Sequence, residues 1–315
     1  MGSLVQMSSL IEQIREHAVQ DLLGINAFKH GWEDRKAFFE KRVGSAVSVT
    51  RQDVIQLGEV LSEGFSLKGT KDRSQGGVSS AGAVWEALVV WYLNICLAGT
   101  HAVCVRGAKH APSPVKDSLT ILHESTILRS EPDVIIFSGK GLADLPRESS
   151  LNKAHEAMDR WCALNYSSLG VVNIQCKTNW NDNAQIPMLW NMLYNQARKG
   201  AIIPNGFTIG KAGHSLMNLG HFGYAFMTVP TQKQGPNGYK PMGMAVLRVK
   251  SMTAGNYWGH PSKNAICSCI SELFSFFTKN RDVFPNIADV AGAAAKAIES
   301  GGSDQFNKQL LLFPY

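Results

Sequence analysis

The chain has 315 residues, of which 44% are apolar and 18% charged, with a formal net charge of +6. That apolar content supports a sizeable core, and so low a charged fraction argues against a disordered chain. The nearest approach to a membrane span, Ala81 to Thr100, carries Glu86 in its middle, and the N-terminus lacks the basic-then-apolar layout of a secretion signal, so a cytoplasmic location is expected.

The first 65 residues read as helical. In SSLIEQIREHAVQDLL the apolar residues Leu10, Ile11, Ile14, Ala18, Leu22 and Leu23 recur at roughly helical spacing. DRKAFFEKR and TRQDVIQLGEVLSEG continue the pattern, with Thr50 as a candidate N-cap and Gly64 as a candidate stop. After a polar, glycine-bearing loop comes SSAGAVWEALVVWYLNICLAGT, apolar on nearly every side and closed by Gly99, which predicts a long buried helix. Its one carboxylate, Glu86, either lies on a wet edge or is paired or ligand-binding, because a lone buried glutamate is otherwise rare.

HAVCVRG reads as a strand, AKHAPSPVK as a loop broken by two prolines, and DSLTILHESTIL as a strand or hairpin. EPDVIIFSGKG places Asp133 directly before a β-branched run. SSLNKAHEAMDRWCAL should be a helix capped by Ser149 or Ser150. The strand VNIQCKTNW follows, then the helix NAQIPMLWNMLYNQARKG, ending at Gly200. NGFTIG, YAFMTV and PMGMAVLRVKS are further strands. GNYWGHPSK reads as a turn bearing Tyr257, Trp258 and His260 ahead of a helix capped by Ser262. NAICSCISELFSFFTKN and NIADVAGAAAKAIES are closing helices. Helices around a central cluster of strands predict a single mixed α/β domain with helical additions at its N-terminus.

The six cysteines are scattered and mostly lie in apolar runs, so they read as reduced core residues, and Cys267-Ser-Cys269 lacks the second pair a zinc site needs. Between Asp182 and Glu272 there is no Asp or Glu, while Arg198, Lys199, Lys211, Lys233, Lys240, Arg248, Lys250 and Lys263 fall in that interval. A second acid-free stretch, Ala87 to Lys116, holds Arg106, Lys109 and Lys116. Acid-free and amide-rich surface suits contact with phosphates and base edges; the alternative is a buried half with few charges of either sign.

The strand VNIQCKTNW alternates Val172, Ile174 and Cys176 with Asn173, Gln175 and Lys177, so Gln175 and Lys177 share a face. If the strand that begins at Asp133 pairs with it, Asp133, Gln175 and Lys177 converge. A carboxylate, another oxygen and an ammonium at one point can hold a divalent cation and position a water for phosphodiester hydrolysis. With no His/Cys cluster nearby, hard oxygen donors favour Mg²⁺ over zinc.

Pro132-Asp133 followed by Gln175-Cys176-Lys177 resembles the PD-(D/E)xK nuclease superfamily, in particular its type II restriction endonucleases, with glutamine in place of the second acid. The resemblance spans roughly Ser79 to Gly200 and implies a restriction-endonuclease-like core, with a central mixed β-sheet flanked by helices. Residues 1–78 would then be a helical N-terminal part, 79–200 the catalytic core, and 201–315 DNA-contacting strands and loops with C-terminal helices. It also implies that Asp133 and Gln175 hold Mg²⁺ together with the Cys176 backbone carbonyl, that Lys177 orients the attacking water, and that Glu86 acts through a second metal or a water. The implied partner is double-stranded DNA, bound by a homodimer inside a prokaryotic cell, with Lys109, Lys116, Asn179, Asn181, Asn183, Lys211, Lys233 and Lys240 as candidate DNA contacts. Because 41 residues separate Asp133 from Gln175, the helix expected over Asn152 to Leu164 must be an insertion between paired strands.

Other chemistries fit less well. GFTIGKAGHS fails the GxxxxGK[ST] spacing of a phosphate loop, and no G-x-S-x-G elbow is present for a serine hydrolase. A nucleic-acid-binding protein that does not cleave, and a repair or recombination nuclease of the same superfamily, remain as alternatives.

Overall fold

The structure, a computed structural model, describes residues 9–43, 51–67, 75–98, 100–124, 126–128, 132–178, 185–203, 206–229, 240, 243–244 and 256–258. The N-terminal part is helical, as its periodicity predicts: α1 (Leu10–Gln20), α2 (Asn26–His30), α3 (Trp32–Val43), α4 (Arg51–Glu59) and α5 (Leu61–Phe65) precede the 22-residue α6 (Gln75–Cys96). Gly64 does not end a helix. It sits inside α5, where an added Cβ would lie 2.2 Å from the ring of Phe39, and the break falls at Val60. Thr50 and Gly99, predicted to cap and close helices, lie outside the described residues.

Two sheets follow. The larger has five strands in the order β1 (Ala102–Arg106), β4 (Val134–Ser138), β5 (Gly170–Lys177), β7 (His221–Thr228) and β8 (Asn256–Trp258). β4 runs antiparallel to both β1 and β5, whereas β5, β7 and β8 are parallel, so the sheet is mixed. The smaller joins β3 (Thr126–Leu128), β2 (Ile121–His123) and β6 (Phe207–Ile209), all antiparallel, so the strand predicted from NGFTIG pairs outside the central sheet. Asn256–Trp258, expected as a turn, extends the central sheet instead. The strand and helices expected after residue 244 otherwise lie outside the described residues.

Alternation within each strand sorts the core into two layers, one on each face of the large sheet. Cys104, Ile136, Val172, Ile174 and Met227 pack on one face with Trp32, Phe39, Trp85 and Trp91 from α3 and α6. Val103, Ile135, Phe137, Val171 and Phe226 pack on the other, against α1, α7 (Ser113–Ser118), α8 (Leu151–Leu164) and α9 (Gln185–Arg198). The loop predicted from AKHAPSPVK therefore contains a helix. Proline is tolerated in a first turn, where its missing N–H has no partner to lose, and here Pro112 caps α7 and Pro114 sits just inside it. The Asp159 carboxylate of α8 accepts hydrogen bonds from the Ser113 amide and hydroxyl, both at 2.8 Å, which fixes the start of α7.

The pairing on which the site depends is present. β4 and β5 are direct neighbours, with Val134 opposite Ile174 and Ser138 opposite Gly170, and α8 lies in the connection between them. Ser150 caps α8, its hydroxyl accepting from the Lys153 amide. Among the described residues no helix is long and apolar enough to cross a membrane.

Candidate active site

The antiparallel β1–β4–β5 arrangement brings the end of β1, the start of β4 and the end of β5 to one edge of the sheet. One step beyond the Val134–Ile174 pair, Asp133 faces Gln175. The backbone N–H of Cys176 donates to Asp133 Oδ2 at 2.8 Å, the Gln175 amide nitrogen donates to the same oxygen, and Lys177 Nζ lies 3.7 Å from it. Three residues predicted from spacing are therefore brought together around one carboxylate.

Every hydrogen bond and ion pair made to the Asp133 carboxylate by the described residues falls on Oδ2, which leaves Oδ1 for a further partner. The side chain is only 20% exposed. Burial pushes the Asp133 carboxyl above its ordinary value of 3.8, while Lys177, the Cys176 amide and Gln175 pull it back down. Glu86 sits on α6 close enough to feel this charge. Its carboxyl is raised first by burial and next by the Asp133 carboxylate, and Arg106 at the end of β1 opposes the rise. Arg106 holds Glu86 through Nε at 2.9 Å and Nη2 at 2.8 Å, both directed at Oε2. Glu86 is thus a paired, partly buried residue rather than one on a wet helix edge.

Gln175 is oriented from behind. Tyr224 of β7, buried and kept neutral because burial pushes its hydroxyl well above the ordinary range, donates to Gln175 Oε1 at 3.2 Å. The amide consequently presents its nitrogen to Asp133. A half-turn of the amide would present the oxygen instead, and the Tyr224 hydroxyl could then accept the hydrogen bond it now donates.

The site opens into a cleft of about 730 Å³ whose lining includes Glu86, Arg106, Lys109, Lys116 and Asp133. Two of the lysines predicted as DNA contacts are therefore on its wall. Lys211 is engaged elsewhere, its ammonium 3.3 Å from Asp117, in the turn that follows β6 of the smaller sheet; Lys240 is exposed. Asn179, Asn181, Asn183 and Lys233 lie outside the described residues. Cys96, Cys104, Cys162 and Cys176 are buried and form no disulfide among the described residues, as expected of core cysteines.

Two residues at the site were not among those predicted to form it: Tyr224, and Arg106, noted only as one of the basic residues of an acid-free stretch. Tyr224 reaches Gln175 through the parallel β5–β7 pairing, whose register has no local sequence signal. Arg106 had a weak one, as the single charge closing the apolar run AVCV.

Among the described residues no three of His, Cys, Asp and Glu form a metal-ligand group. What the site does offer is two neighbouring, partly buried carboxylates, each with one oxygen uncommitted to a partner among the described residues, beside the Cys176 backbone. Carboxylate and carbonyl oxygens are hard donors, which suit Mg²⁺, and Gln175, whose nitrogen faces Asp133, would add an oxygen only with its amide turned over. Neither a scan against models of known protein families nor a comparison with curated proteins finds a match for this sequence.

Proposed function

We propose that this protein is a Mg²⁺-dependent endonuclease of the PD-(D/E)xK type that cuts double-stranded DNA at specific sites, as type II restriction enzymes do. The observation that carries the proposal is the convergence of Gln175 and Lys177 on Asp133, whose side of the site lines a cleft with Lys109 and Lys116 on its wall. In this reading Asp133 and the Cys176 carbonyl would hold the cation, and Gln175 would contribute its oxygen if its amide were turned over. A bound Mg²⁺ would acidify a coordinated water and offset charge on the phosphorane. Lys177, 3.7 Å from Asp133 and a quarter exposed, positions the attacking water toward the phosphorus. A homodimer matched to a two-fold symmetric site is the assembly that such cutting entails.

Digestion of a sequenced plasmid with Mg²⁺ tests the proposal. Discrete fragments with mapped ends support it, whereas DNA binding without cutting in any divalent cation leaves a binding protein as the function. The cleft lysines make a separate prediction. Replacing Lys109 and Lys116 together by alanine should weaken duplex binding about equally for all sequences and lower the slope of log affinity against log salt by about 2. Fluorescence anisotropy at several salt concentrations measures this, and an unchanged slope would remove this wall from the DNA path.

A further inference from the structure

We infer that Arg106 is the residue that grips the phosphate to be cut, with Glu86 as the positioning residue that aims it; the inference rests on the nuclease function proposed above. A guanidinium has two edges that can each present a pair of N–H groups. Glu86 occupies one of them, Nε and Nη2, and does so with a single carboxylate oxygen. The described residues place no hydrogen bond on Nη1, so the edge formed by Nη1 and the second N–H of Nη2 is available to an acceptor in the cleft. The side chain is 37% exposed and lines the cleft beside Asp133, so that edge can be reached from solvent.

The backbone fixes the base of this arm. Arg106 is the last residue of β1, in register with Val134, and the following Gly107 N–H donates to the Asp133 carbonyl at 2.9 Å. The guanidinium is therefore tied to the strand that carries the catalytic carboxylate. Gly107 then turns the chain at φ 66°, a conformation glycine adopts without strain, toward Lys109 and Lys116 on the same wall. A planar fork flanked by two ammonium groups matches a phosphodiester, which offers two non-bridging oxygens to one fork and further phosphates to the lysines.

Charge favours the same arrangement. Asp133 and Glu86 are balanced by Lys177 and Arg106, so a dication added to this neutral set attracts an anion, and one phosphodiester on Arg106 offsets half of the added charge.

The test uses the full chain with Arg106→Ala and Arg106→Lys. One arm measures binding to a fluorescein-labelled duplex with Ca²⁺ in place of Mg²⁺; the other measures single-turnover cutting of plasmid with Mg²⁺. For Arg106→Ala we expect a salt slope lowered by about 1 and a cutting rate at saturating enzyme reduced about 10²- to 10³-fold. Arg106→Lys keeps the charge toward Glu86, and with it the fold, but has no fork. It should recover most of the binding and little of the rate, with the half-saturating Mg²⁺ concentration unchanged. Full recovery of rate by lysine, or a raised half-saturating Mg²⁺ with normal duplex binding, would overturn the inference and leave Arg106 as no more than the counter-ion of Glu86. If the unmodified protein cuts nothing, the nuclease function fails on that arm, while the binding arm still decides whether Arg106 holds phosphate.

Discussion

Replacing Asp133 by asparagine should abolish cutting, by at least about 10³-fold, and at the same time make the protein harder to melt. Under the proposed function the first effect follows from the loss of a charged metal ligand, worth several kcal/mol of transition-state stabilisation, with each 1.36 kcal/mol a factor of ten. The second follows from burial. Asp133 is four-fifths buried, and its carboxyl lies above the ordinary 3.8 because desolvation outweighs its hydrogen bonds. A carboxyl raised in the folded state stabilises the fold fully below 3.8, and that contribution is lost as pH rises through the folded-state value. Asparagine has no proton to lose and keeps an oxygen that can accept the 2.8 Å bond from the Cys176 amide. The variant's melting temperature in EDTA should therefore exceed the parent's at pH 7 to 8, with the gap closing as pH falls toward 4. Removing the acid also strips Lys177 of its partner, but at 3.7 Å and with a quarter of its surface in water the ammonium loses little. Adding Mg²⁺ should raise the melting temperature of the parent and not that of the variant. A variant that melts below the parent at pH 7.5 without metal would show that the hydrogen bonds, not burial, govern Asp133, and retained cutting would take Asp133 out of the chemistry.

Opposite effects on activity and stability are what a site held together for function produces. They also explain which parts of it were legible in the sequence. Asp133, Gln175 and Lys177 could be found because two-residue alternation along a strand fixes which side chains share a face, and one antiparallel pairing then brings them together. What alternation could not give was the environment of that face. Asn173, Gln175 and Lys177 suggest one side toward water, yet every residue of β5 except Lys177 is buried, because α8 and α9 cover the face that the polar residues share. The buried amides were therefore invisible as buried amides. Helices were legible where an apolar stripe was long, as in α1, α6 and α8, and misread where a local device replaced the stripe, as with the two prolines of α7 held by Asp159. Arg106 and Tyr224 came from pairings of long sequence separation, 20 and 49 residues, and no spacing rule reaches across those.

The same reasoning about paired backbone groups gives the largest effect expected on stability. Among the described residues β1 is an edge strand of the central sheet, so one side of its backbone has no neighbouring strand among them to bond. Asn94 on α6 takes that place at Cys104. Its amide nitrogen donates to the Cys104 carbonyl at 2.8 Å and its amide oxygen accepts the Cys104 N–H at 3.0 Å, so one side chain satisfies both groups as a strand would. Arg15 of α1 does the same for the Ala102 carbonyl at 2.9 Å. Asn94 is 1% exposed and Cys104 is 0% exposed, so water cannot replace the amide. Asn94→Leu, close in volume and apolar, should therefore cost about 2–6 kcal/mol, since two buried backbone groups lose their partners at about 1–3 kcal/mol each. Asn94→Asp should be worse near neutral pH. Its carboxylate can still accept the Cys104 N–H but has no donor for the carbonyl, and it adds a charge to an apolar layer. Protonation restores a donor, so the aspartate variant alone should recover stability as pH falls, which separates a lost hydrogen bond from a packing defect. Urea unfolding of both variants at pH 5 and pH 8 measures this. A leucine variant within 1 kcal/mol of the parent would mean that the edge of β1 finds its partners elsewhere and that Asn94 is not what fastens α6 to the sheet.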